Sequence, residues 1–107
     1  MENTQGKAVQ DLIKYIIENG STVLVDAINF HIKNKTDFAK TFSNRMRLRG
    51  LASRVKKVKG LTDADAYLLG YMMMVYAQET NSKRALDAFN FFNEHILKNI
   101  DTMFREE

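Results

Sequence analysis

Ala66-Tyr67-Leu68-Leu69-Gly70-Tyr71-Met72-Met73-Met74-Val75-Tyr76-Ala77-Gln78 is the stretch whose reading decides the fold. It carries no charge over thirteen consecutive positions, and a helical wheel drawn through it is apolar or aromatic on nearly every side. A helix of that kind must be buried on most of its faces. Thirteen residues fall well short of the roughly 20 that a bilayer crossing needs, so the stretch predicts a buried central helix and not a membrane span. Thr62, followed by Asp63 and Asp65, supplies a cap and first-turn carboxylates for its start, and Thr80-Asn81 marks its end. Leu68, Met72 and Val75 are expected inside, with Tyr67, Tyr71 and Tyr76 at the core edge.

The flanking segments are amphipathic and can each give this helix one face. Upstream, Val9, Leu12, Ile13 and Ile16 repeat at i, i+3, i+4 and i+7, which predicts a helix from about Gly6 to Asn19. Asn19-Gly20 is its stop, because glycine accepts the left-handed conformation. Ser21 or Thr22 caps a second helix of roughly Val23 to Lys33, in which Leu24, Ala27, Ile28 and His31 share a face. Downstream, Ser82 opens a last helix of over 20 residues, with Ala85, Phe89, Phe92, Ile96, Ile100 and Met103 as its apolar line.

Between these lies a third helical segment, opened by Thr36-Asp37 and closed by Lys59-Gly60. Phe38, Phe42 and Met46 form one apolar line in it; Leu48, Leu51, Ala52 and Val55 form another. At about 100° per residue the two lines point well over 90° apart, so one straight helix cannot bury both. Gly50 sits at the changeover and costs roughly 1 kcal/mol relative to alanine in a helix interior. A kink or break near Arg49-Gly50 is the expectation. The fold class is thus all-α: residues 1–107 form one domain, a bundle of five or six helices around the central one.

Composition narrows the function. The chain has no cysteine, which excludes disulfides, thiolate metal sites and a thiol nucleophile, and fits a cytoplasmic location. Met1 to Lys7 lacks a basic region followed by an apolar run, so no signal peptide is expected. Net charge is only +3, but it is unevenly placed. Phe38 to Thr62 holds eight basic residues and no acidic one, and the rest of the chain balances at −5.

The candidate site is therefore the basic segment, with Arg45, Arg47, Arg49, Arg54, Lys56 and Lys57 as the nominated nucleic-acid-binding residues. Arg49 and Lys56 flank the Leu48–Val55 line on one side, Arg47 and Arg54 on the other, and Lys57 lies outermost. Such an array follows a phosphate backbone, and each neutralised phosphate releases counterions. With a kink, Arg45, Arg47, Arg49 and Arg54 would gather around one corner. A solvated face that serves only solubility is the competing reading. No aromatic residue lies between Phe42 and Tyr67, so the segment offers no obvious platform for base stacking. A helix-turn-helix at Val23–Lys33 and Asp37–Arg49 would project Lys40, Thr41, Asn44 and Arg45, though its turn, Asn34-Lys35, has no glycine.

His31 and His95 lack the helical spacings of metal sites, and His31 reads as a hydrogen-bonded residue at the core edge. No phosphate loop, serine-nucleophile motif or paired-carboxylate arrangement is present, so neither catalytic residue, metal nor cofactor is nominated. The function read from the sequence is a non-enzymatic helical protein that binds nucleic acid through phosphate contacts, alone or in a nucleoprotein complex. The alternative is a protein-interaction or regulatory adaptor module without nucleic-acid binding, which engages a partner through an acidic patch or an apolar groove, or meets an acidic protein surface with its basic segment. Phe91, off the main line of the last helix, suggests pairing of two copies through that helix.

Overall fold

The central helix is α4, Asp63–Thr80, and the computed structural model, which describes residues 6–98, packs α1 (Lys7–Asn19), α2 (Thr22–Asn34) and α5 (Lys83–Phe92) against it. A 3₁₀ turn at Asp37–Ala39 precedes α3, Phe42–Lys57, and a π turn at Asn93–Leu97 extends α5. The described residues contain five α-helices and no strand.

Helix α4 starts on a complete capping box: the Thr62 hydroxyl accepts from Asp65 N–H at 3.2 Å, and the Asp65 carboxylate accepts from Thr62 N–H at 3.1 Å. Asp63 does something else. Its Oδ1 accepts from Val9 N–H at 2.9 Å, so it caps α1, whose own N-cap residue, Gly6, has no side chain to do so. Inside α4, Ala66, Leu69, Gly70, Met72, Met73 and Ala77 are buried. Met72 is inside as expected, but Leu68 and Val75 are only half-buried. The reason lies with α3, which packs on α2 and the 3₁₀ turn and leaves that side of α4 lightly covered.

The expected division into two short helices is not there. Helix α3 runs unbroken through Gly50, capped by Thr41, whose hydroxyl accepts from Asn44 N–H at 3.0 Å. Breaking it would free several backbone hydrogen bonds at about 0.5–1.5 kcal/mol each, more than one glycine's roughly 1 kcal/mol. The two apolar lines are reconciled differently. Leu48, Leu51, Ala52 and Val55 are buried, whereas Phe42 and Met46 stay outside, 69% and 46% exposed. Helix α3 ends at Val58, a β-branched residue held at φ 52°, where glycine or asparagine is usual.

His31 is fully buried and not at the core edge. Its Nε2 lies 3.0 Å from the Met72 carbonyl oxygen and its Nδ1 2.6 Å from the Thr36 hydroxyl. The carbonyl can only accept, so Nε2 carries the proton and Thr36 donates to Nδ1. Burial pushes the His31 pKa down, opposed by the hydrogen bond to Met72.

The last helix follows its predicted line with one change. Ala85, Phe92 and Ile96 are buried and Phe89 is half-buried. The π turn spreads the rotation over more residues, and Leu97 is thereby buried beside Gly70. Phe91 is half-buried and its ring centroid lies 5.0 Å from that of Tyr15, so it belongs to the packing between the two ends of the chain. Ile100 and Met103 of the predicted line lie outside the described residues.

Candidate nucleic-acid interface

Because α3 is one continuous helix, its nominated residues form lines along it and do not gather at a break. Arg45, Arg49 and Lys56 follow one flank of the buried line, Arg47 and Arg54 follow the other, and Lys57 points away from the core. The helix contributes 16 residues, a length of about 24 Å at 1.5 Å per residue.

Two of the six are tied into the fold. The Arg45 guanidinium donates to the carbonyl oxygens of Ala39 and Lys40 at 2.8 and 3.1 Å, closing the 3₁₀ turn onto the first turn of α3. Arg54 pairs with Asp65 at 3.1 Å and joins the end of α3 to the start of α4. The other four, Arg47, Arg49, Lys56 and Lys57, are exposed, and among the described residues no carboxylate pairs with them. The neighbouring acids are already engaged: Asp65 with Arg54, Asp63 with α1, and Asp37 with Lys40 at 3.0 Å.

A helix-turn-helix does not fit this arrangement. Thr41 is committed to capping, Arg45 to backbone carbonyls and Lys40 to Asp37, and Asn44 is half-buried. Three of the four residues that would have read base edges, Lys40, Thr41 and Arg45, are therefore engaged within the protein.

Sequence reasoning missed the apolar part of this surface. Phe42, Met46 and Arg49 stand in one line at i, i+4 and i+7 on the outer side of α3, and Arg49 Nη1 lies 3.8 Å from Met46 Sδ. Beside them an open groove of about 610 Å³ runs between α3 and α4, with Leu48, Leu51 and Leu68 along it and Arg47 and Arg54 at its rim. A smaller hollow of about 310 Å³ continues it past Arg47 to Phe38 and Asn44. The signal was available: the angle between the two apolar lines placed Phe42 and Met46 away from the core of a straight helix.

Among the described residues no cluster of histidine or carboxylate groups is placed to hold a metal ion, and no helix is long and apolar enough to cross a membrane. Comparison with protein-family models, curated proteins and solved structures finds no match for this chain.

Proposed function

We propose that this protein is a non-enzymatic nucleic-acid-binding module that holds a phosphate backbone along α3, alone or as a small subunit of a nucleoprotein complex. The observation that carries the reading is the set of four exposed cations, Arg47, Arg49, Lys56 and Lys57, on a surface where, among the described residues, the nearby carboxylates Asp37, Asp63 and Asp65 are engaged elsewhere. Cations that no carboxylate neutralises exchange their counterions for phosphates, and the binding that results weakens as salt rises. Arg47 and Arg49 add the planar fork that grips phosphate oxygens in pairs. The acidic balance of the rest of the chain orients the molecule with α3 toward the polymer.

The test is the triple variant Arg47→Glu, Arg49→Glu, Lys57→Glu, compared with the parent in low-salt titrations of labelled oligonucleotides. Arg54 is left alone because its ion pair with Asp65 is part of the fold. The expected result is loss of binding with little change in melting temperature, since surface substitutions are usually mild. Binding equal to that of the parent would refute the proposal.

A second reading is favoured by the groove between α3 and α4. Its apolar length and the rim of Arg47 and Arg54 suit an amphipathic acidic segment of a protein partner. On that reading Leu68→Arg blocks partner binding, whereas on the first it leaves the phosphate contacts intact.

A further inference from the structure

Phe42 is the most exposed aromatic side chain among the described residues, and it lies on the same side of α3 as Arg49, Lys56 and Lys57. We infer that Phe42 is a stacking platform for an unpaired base, and that the nucleic acid recognised along α3 is single-stranded. The inference rests on the reading of α3 as a phosphate-binding face and names the class of nucleic acid that face takes.

Isolated apolar side chains on a surface need no explanation. Ile17 and Leu86 are of that kind, each beside a charged neighbour, Glu18 or Asp87. Phe42 differs because Met46 follows it one turn later and Arg49 another turn on, so the phenyl ring opens an apolar-to-cationic track. Lys56 and Lys57 extend the track two turns further along the same side of the helix. Aromatic rings interspersed with cations are what a single strand requires: the cations track its phosphates, and the ring takes the face of a base that has no stacked neighbour.

A duplex cannot use Phe42 in the same way. Its base faces are covered by the adjacent pairs, and only base edges are offered in the grooves. The outward residues of α3 within one turn of Phe42 are Ser43 and Met46, neither of which makes the paired hydrogen bonds that read a base edge. Phosphate contact alone would leave Phe42 and Met46 without a role. A single strand, RNA or DNA, engages all of them.

The experiment compares parent, Phe42→Ala and Phe42→Trp in fluorescence-anisotropy titrations of oligo(dT), oligo(U) and a duplex of matched length. Phe42→Ala is expected to weaken binding of both single strands about tenfold and to leave duplex binding and the salt slope unchanged. Phe42→Trp is expected to bind single strands as the parent does, with quenching of its indole emission on binding. Equal melting curves for the three proteins establish that the fold is intact, as the exposure of Phe42 requires. Single-strand binding unaffected by Phe42→Ala, or duplex binding reduced by the same factor, overturns the inference and leaves the phosphate-binding face standing. A parent that binds no probe at low salt overturns both.

Discussion

Asp63 caps a helix it does not belong to: its carboxylate accepts from Val9 N–H at 2.9 Å across 54 residues of sequence, tying the start of α1 to the start of α4. One carboxylate thus lies near two helix N-termini, each of which favours negative charge. Asp63→Ala is expected to lower stability by about 1 kcal/mol, near 5 °C in melting temperature for a domain of this size. Asp63→Asn keeps an acceptor oxygen and should lose less. Asp37→Ala, which removes an exposed pair with Lys40, should change the melt little. Equal losses in Asp63→Ala and Asp37→Ala would contradict the assignment.

The two glycines of the long helices should respond in opposite directions. An added Cβ at Gly70 would lie 2.8 Å from Leu97 Cδ2, and the overpacking, about 1–3 kcal/mol, outweighs the roughly 1 kcal/mol gained in helix propensity. Gly70→Ala should therefore destabilise, and the double variant with Leu97→Ala should show strong coupling. At Gly50 an added Cβ meets only the end of the Arg54 side chain, at 3.4 Å. Gly50→Ala should stabilise by about 0.5–1 kcal/mol, as measured by urea denaturation. A destabilised Gly50→Ala would argue that α3 bends there after all.

His31 makes stability depend on pH in a definite direction. Its pKa in the folded state is pushed below the ordinary value of 6.5 by burial, so the unfolded chain binds a proton that the native protein resists. Stability is fully present above the unfolded value and falls as the pH drops below about 6.5, by up to about 1.4 kcal/mol per pH unit. Urea midpoints at pH 7.5 and pH 5.5 measure this. An NMR titration of the His31 ring should show a neutral imidazole persisting below the ordinary value of 6.5.

How far the sequence could be read depended on whether the partners were local. The burial of Met72, the stops at Gly20 and Asn81, and the caps at Thr62 and Ser82 depend on spacing within one helix, and the spacing was visible. Leu68 and Val75 were misplaced because their exposure depends on where α3 packs, which no local pattern encodes. The conflict between the two apolar lines of α3 was also legible, but the wheel gives only the angle between them. A break would have buried both; continuity left Phe42 and Met46 in water, and the retained backbone hydrogen bonds favour continuity. Partners distant in sequence were invisible: Met72 for His31, Val9 for Asp63 and Asp65 for Arg54. That is why Arg54 proves to be engaged within the fold; Arg45 is engaged by the nearby carbonyls of Ala39 and Lys40, which no side-chain pattern reveals.

Substitution of Met72 tests the placement of the core on α4. Met72 is fully buried, and its carbonyl oxygen receives the His31 ring. Met72→Ala should cost about 2–5 kcal/mol, and Met72→Asp, which buries an unpaired charge, should leave the chain unfolded by circular dichroism. Tyr71→Ala, on the exposed side of the same helix, should be tolerated.

The most direct test of the central claim is the affinity of the parent protein for short oligo(dT) and oligo(U) across a salt series. Four cations free to meet phosphates should give a slope of log K on log salt of about −2 to −3, from about 0.7 per phosphate on a single strand. The slope should shrink by about 0.7 for each of Arg47, Arg49 and Lys57 replaced singly by alanine. No binding at low salt, or binding whose slope ignores all three replacements, would contradict the account and leave α3 a solvated basic face.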